Sequence, residues 1–192
     1  HMKYLKGALG NIDFDTVIKK YMPNARHMHE GMTSSINLDD ADVREAMSLY
    51  IRHGLNPTKP LGKRHKFKHK DGQYSELDNA IEQIGLQECQ CVLMSQEPGM
   101  YNMWHNDEYG SYGERDKSQI RRVLVFMTPY EPCQFLQWGD SIIKDWSPGD
   151  VICDWGKLSH GTANASEHTR VMLRLTGVVS DTYNNFIENN SI

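Results

Sequence analysis

The chain is poor in cysteine, and its cysteines lack the spacing of a metal ribbon or a redox motif. The four present, Cys89, Cys91, Cys133 and Cys153, include no C-x-x-C, which argues against a zinc ribbon or a thioredoxin-like centre. Cys89 and Cys91 fall on one face of an expected strand, a poor geometry for a disulfide. All four are therefore expected as reduced thiols in an intracellular, cytoplasmic compartment. No apolar run approaches the roughly 20 residues of a membrane helix, so no membrane partner is expected. No secretory leader pattern opens the chain, and His1-Met2 has the form of a cloning scar. Acids are missing from residues 59–70 (KPLGKRHKFKHK), a segment of charge +6 in a chain whose net charge is −4. Such a segment can attract phosphates or acidic peptides, or serve as a solvated, mobile loop.

What is present fits one globular domain spanning residues 1–192, with 39% hydrophobic and 24% charged residues. A mainly helical portion is expected over 3–86. Val17, Ile18 and Tyr21 form an apolar stripe at helical spacing that follows Asp13 and stops at Pro23. Asn37-Leu38-Asp39-Asp40 reads as a helix start running toward Gly54. A further helix begins at Ser75, turns Leu77, Ile81 and Ile84 inward and ends before Gly85. From Gln87 the period changes to two. Short runs at 87–95, 122–127, 134–138, 141–144, 150–153 and 170–175 are separated by turn residues. Helices first and antiparallel strands later predict an α+β fold, with the helices packed on one sheet of a sandwich or jelly roll. The β core is expected over 87–178 and a polar C-terminal tail over 179–192.

The chemistry-bearing residues lie in the strand-rich half. His105-Asn106-Asp107 is an H-x-D pair, and on an extended segment its first and third side chains leave the same face. His160 lies fifty-three positions after Asp107. Two imidazoles and a carboxylate are the set that holds Fe(II) on one face and leaves three positions open. Arg170 and Arg174 follow the second histidine by ten and fourteen residues. They share one strand face, and an inward arginine is costly unless it is paired. A bound carboxylate would match the guanidinium fork. Equal parity does not rank the two, and Asp150 or Asp154 offers either one an internal partner.

Residues Gln96 to Gly177 resemble the double-stranded β-helix core of the Fe(II)/2-oxoglutarate-dependent dioxygenases. The matching pieces are Glu97-Pro98-Gly99, Trp104-His105-Asn106-Asp107, Arg121 to Phe126, Ser147-Pro148-Gly149-Asp150, and Leu158 to Asn164 followed by Arg170. Within that family the Trp146-Ser-Pro-Gly-Asp150 and His160-Gly-Thr-Ala-Asn164-Ala-Ser166 patterns are similar to the aspartyl/asparaginyl hydroxylase branch, and the ten-residue spacing from His160 to Arg170 is that of this branch and of the prolyl hydroxylases, which use lysine there. The resemblance implies His105, Asp107 and His160 as iron ligands. Its ten-residue spacing favours Arg170 for the distal carboxylate of 2-oxoglutarate, while the spacing of other branches keeps Arg174 in consideration. Arg121 or Arg122 is expected to help hold the cosubstrate.

The activity implied is hydroxylation of a small molecule, amino acid or peptide side chain, using O2, releasing succinate and CO2, and aided by ascorbate as reductant. Asp107 favours hydroxylation over halogenation, since a small residue there would open a halide site. Tyr101, Trp104, Tyr109 and Trp155 are expected around the substrate pocket, with residues 108–115 as a loop able to close over it. Two other readings are a nucleic-acid oxygenase using residues 59–70 to hold phosphates, and a metal-binding sensor without turnover. The oligomeric state is not encoded in any readable pattern.

Overall fold

The computed structural model describes residues 2–27, 63–70, 74–106, 116–155 and 158–191. The expected helix after Asn37 and the expected loop over 108–115 lie outside these residues.

The period-two runs build two antiparallel sheets. The first strands in chain order are β1 (Lys3–Leu5), β2 (Arg26–His27), β3 (Lys63–Lys68), β4 (Gln87–Gln96) and β5 (Tyr101–His105). They are followed by β6 (Ile120–Phe126), β7 (Gln134–Trp138), β8 (Ser141–Ile143), β9 (Val151–Cys153), β10 (His160–Asn164) and β11 (Arg170–Val178). A seven-stranded sheet runs β1-β9-β6-β11-β4-β3-β2, and a four-stranded sheet runs β5-β10-β7-β8. Alternation gives the large sheet two apolar faces. One face meets the small sheet through Leu124, Phe126 and Met172, packed with Leu136, Trp138, Trp146 and Trp155. The other carries Leu93, Val123, Val125, Leu173 and Leu175 under the helices.

Among the described residues, three α-helices, α1 (Phe14–Tyr21), α2 (Ser75–Ile84) and α3 (Asp181–Asn190), cover that second face. In α1 the Asp13 side chain accepts from the Thr16 backbone N–H, and Phe14, Val17 and Tyr21 are buried. In α2 Glu76 and Asp78 occupy the first turn, where acids favour the helix dipole. Gly85 then closes α2 in the left-handed conformation at φ 77°. The core is thus an α+β double-stranded β-helix with helices on one sheet, as expected from the order of patterns.

Three features differ from the sequence expectation. The stretch 3–86 is not only helical, because β1 and β3 join the large sheet. Residues 63–68 of the basic segment form β3 rather than a loop, since Phe67 at the centre of alternating charges turns into the core and stacks on Tyr74 at 4.2 Å. The tail forms α3, which buries Tyr183, Phe186 and Ile187 at helical spacing and is capped by Ser180. Among the described residues no helix is long and apolar enough to cross a membrane.

Asp150 anchors β1 and the turn before β9. It is fully buried and accepts from the Gly7 N–H at 2.7 Å, the Ser147 N–H at 3.0 Å and the Tyr4 hydroxyl. Truncation would leave those three donors without their carboxylate. Asp150→Ala is expected to cost about 3 kcal/mol or more of stability, measured as a fall in the urea midpoint. A loss under about 1 kcal/mol would contradict this anchoring role.

Candidate active site

His105 ends β5 and His160 begins β10, and the register sets them directly opposite each other. Their rings face at 4.3 Å between centroids. On its other side His160 is opposite Trp138 of β7, whose ring lies 6.0 Å away, and Trp155 meets the imidazole edge-on at 5.0 Å. The Ser159 hydroxyl donates to the Asn106 side chain at 2.7 Å, tying the two histidine segments together. Gly161 packs closely beside them, since a Cβ there would stand 3.3 Å from the Trp104 ring and would make that ring shift.

The orientation of His160 is set from behind. Its Nδ1 lies 2.8 Å from the Leu158 carbonyl, so Nδ1 carries the proton and donates while Nε2 is left as the electron-pair donor. Burial pushes the His160 pKa down to about 4; the Leu158 carbonyl opposes this, and His105, Arg122 and Arg174 add to it. The imidazole is therefore neutral near pH 7, the form that ligates a metal. Asp107, the expected third ligand, lies outside the described residues.

His160 opens onto a pocket of about 80 Å³ between the two sheets, enough space for several water-sized groups. Its walls include Gln96, Asn102, Trp138, Trp155, Thr162 and Arg174, with Met94, Leu124, Leu136 and Met172 as the apolar lining. Four buried polar atoms of this wall have no hydrogen-bond partner among the described residues: Nε1 of Trp138, Nε1 of Trp155, Nε of Arg174 and Oδ1 of Asn102. Three are donors, and leaving such groups unsatisfied costs about 1–3 kcal/mol each. They suit a small ligand rich in acceptor oxygens, so the walls fit a keto diacid and the imidazole pair fits a metal ion.

The arginines separate despite their equal parity. Arg174 lines the pocket. Arg170 is fully buried beyond it, donating to the Gln96 side-chain oxygen and to the Phe135 carbonyl at 3.4 Å, with its guanidinium 5.9 Å from the Trp146 ring. Gln96 in turn donates to Thr162 at 3.1 Å, so Arg170 reaches the pocket through Gln96. Neither arginine uses the expected aspartates. Asp150 holds the β1 anchor, and Asp154 accepts from Tyr183 at 2.7 Å and pairs with Arg121 at 3.2 Å. That pairing turns Arg121 away from the pocket. Arg122 is buried, donates to Thr176 at 3.2 Å and lies 5.8 Å from the Trp155 ring behind the wall.

Of the four residues expected around the substrate, Trp155 lines the pocket. Tyr109 lies outside the described residues. Trp104 is 53% exposed and, like Tyr101, is absent from the pocket wall. Asn102 takes the inner position of β5, and the register shift between Asn102 and His105 breaks the alternation that would otherwise put Trp104 on the same face. The sequence reading missed Gln96, Asn102, Trp138 and Thr162. A usable signal existed for two of them, since Thr162 follows His160 by two residues and Trp138 ends an alternating run.

No family model matches the chain, and no curated protein matches it in sequence. Its fold is nevertheless shared by solved structures. It is similar to a viral collagen prolyl hydroxylase from Paramecium bursaria Chlorella virus-1, solved as its 2OG complex, with a TM-score of 0.52, 14% identity and coverage of 92% of this chain and 96% of that one. It is also similar to SnoK, a non-heme α-ketoglutarate-dependent carbocyclase of nogalamycin biosynthesis, at TM-score 0.54 and 10% identity over 91% and 78% of the two chains. SnoN, the α-ketoglutarate-dependent epimerase of nogalamycin biosynthesis, gives a TM-score of 0.56 at 8% identity over 91% and 75%. The chain has the double-stranded β-helix fold of the 2-oxoglutarate-dependent oxygenases.

Proposed function

We propose that this protein is an Fe(II)- and 2-oxoglutarate-dependent dioxygenase that hydroxylates a small molecule, amino acid or peptide side chain. The observation that carries this reading is that His105 and His160 stand opposite each other across one strand pair, with rings 4.3 Å apart, and that His160, a neutral imidazole, lines the pocket. Asp107, two residues beyond His105, would complete the ligand set. A ferrous ion held by His105, Asp107 and His160 would supply activation of O2 coupled to oxidation of 2-oxoglutarate to succinate and CO2, with ascorbate as the reductant that would keep it ferrous.

The chain's own groups supply placement. Arg174 receives the distal carboxylate of 2-oxoglutarate, a role that the spacing had favoured for Arg170. Arg170 positions Gln96, and Arg122 adds positive potential from behind Trp155. The indole N–H groups of Trp138 and Trp155 donate to bound oxygens, and Asn102 accepts. Met94, Leu124, Leu136 and Met172 keep water from the reacting groups. Four free cysteines accord with a reducing, cytoplasmic setting.

The test is conversion of 2-oxoglutarate to succinate by the iron-loaded protein, together with a screen for substrates that gain one oxygen. His160→Ala is expected to lower succinate formation at least about 100-fold. A sensor without turnover would form no succinate. Arg174→Gln is expected to raise the KM for 2-oxoglutarate about 10- to 100-fold with little change in kcat, the loss of one charge-assisted pair. Arg170→Gln should act mainly on stability. An unchanged KM in Arg174→Gln, with a raised KM in Arg170→Gln, would reverse the assignment.

His160 also gives a pH prediction for the metal-free protein. Its pKa is about 4 folded against 6.5 unfolded, so between these values the unfolded chain binds the extra proton. Stability should fall as pH drops from about 6.5 toward about 4, and this contribution should level off below that. Its full size is on the order of 3 kcal/mol. His160→Gln should flatten the slope in urea denaturation across this window; an equal slope in both proteins would contradict a buried neutral imidazole.

A further inference from the structure

The basic segment is sorted by alternation into two sets. β3 pairs with β4 so that Arg64 is opposite Met94 and Lys66 is opposite Val92. β4 pairs with β11 so that Met94 is opposite Met172 and Val92 is opposite Arg174. Directly opposed residues of an antiparallel sheet leave the same face. Two rows result, Arg64–Met94–Met172 and Lys66–Val92–Arg174. Met94, Met172 and Arg174 are pocket-wall residues, so Arg64 and Lys66 continue that wall outward. Two strand spacings put the Lys66 backbone about 10 Å from that of Arg174, within reach of long side chains. The intervening residues lock this facing, because Phe67 and His65 pack against the Tyr74 ring on the opposite side of the sheet.

Among the described residues, acids neutralise only part of this rim. Lys63 is paired with Glu97. Arg64 and Lys66 have no acidic partner among the described residues. Lys66 holds its proton less tightly than usual, first because of Arg64, then burial, then Arg174. Arg174 is affected in the same sense, by burial and then by Arg64. Three cations therefore share one field, and like charges in proximity are costly without an anion. The cosubstrate carboxylate on Arg174 accounts for one of them.

We propose that Arg64 and Lys66 form a second anion subsite on the rim of the pocket, and that the primary substrate is a small acid whose carboxylate, phosphate or sulfate group docks there. This rests on the oxygenase reading in one respect, that Arg174 is taken by 2-oxoglutarate. The small cavity favours a small molecule over a polymer, so the cations of β3 serve substrate selection rather than nucleic-acid binding.

The test is calorimetric titration of the full chain with inorganic phosphate, sulfate and acetate separately, with and without saturating 2-oxoglutarate and Mn(II). At least one oxyanion is expected to bind with the keto acid present, and the ranking of the three identifies the preferred group. The double variant Arg64→Gln/Lys66→Gln should weaken that binding at least tenfold and change 2-oxoglutarate affinity less than twofold. Exchanging the two cations, Arg64→Lys with Lys66→Arg, should restore most of it, and matching thermal midpoints establish that each variant is folded. Equal anion affinity in the double variant would overturn the subsite, as would absence of anion binding or displacement of the anion by 2-oxoglutarate. Salt-sensitive binding of a single-stranded oligonucleotide that disappears in the double variant would also overturn it, assigning these cations to nucleic acid. Failure of 2-oxoglutarate to bind the wild-type chain would strike the oxygenase reading instead, while the phosphate titration without keto acid would still decide the subsite.

Discussion

The register between β5 and β10 is the constraint on which the site depends. It puts His160 opposite His105 on one side and Trp138 on the other. Side chains alternate along a strand, so a slip of one residue would turn the imidazole outward and bring Gly161 to the pocket. The Ser159–Asn106 hydrogen bond and the close approach of Gly161 to Trp104 both resist that slip. The Leu158 carbonyl then selects the tautomer of His160 without any further residue.

The second organising feature, among the described residues, is an excess of buried and half-buried cations over buried acids beside the pocket. Arg122, Arg170 and Arg174 all lie on or behind the wall, and burial weakens the hold of each on its proton. The nearby buried acid Asp150 is committed to Tyr4, Gly7 and Ser147, and Asp154 to Tyr183 and Arg121. Arg170 is compensated by neutral acceptors, Gln96 and the Phe135 carbonyl. Arg174 keeps a buried Nε without a partner. A site arranged this way is built to receive negative charge, which is the physical basis for the cosubstrate assignment and for the anion subsite inferred on β3.

Much of the architecture was legible because local patterns and tertiary packing agreed. α2 runs from Ser75 to Ile84 with Gly85 as its cap, matching its stripe and its stop signal. β7 coincides with the alternating run from Gln134 to Trp138. β3 and α3 were not legible as elements. In β3 a single buried aromatic among charges outweighs the apparent solubility of the segment. In α3 the buried Tyr183, Phe186 and Ile187 are embedded in polar neighbours that mask their spacing. Tyr101 and Trp104 looked like pocket residues by proximity to His105, yet the register shift in β5 gave the inner positions to others.

The sequence by itself determined which residue types could meet: an H-x-D pair, a distant histidine and two arginines of equal parity, all in strand-forming segments. Their local physics is short-range, set by side-chain chemistry and by the two-residue period of a strand. Only the tertiary structure decided that Arg174 lines the pocket while Arg170 is spent on Gln96, and that the charges of β3 turn toward the same face. Those outcomes depend on cross-strand register and on which neighbours consume each hydrogen bond, and both arise from residues far apart in the chain.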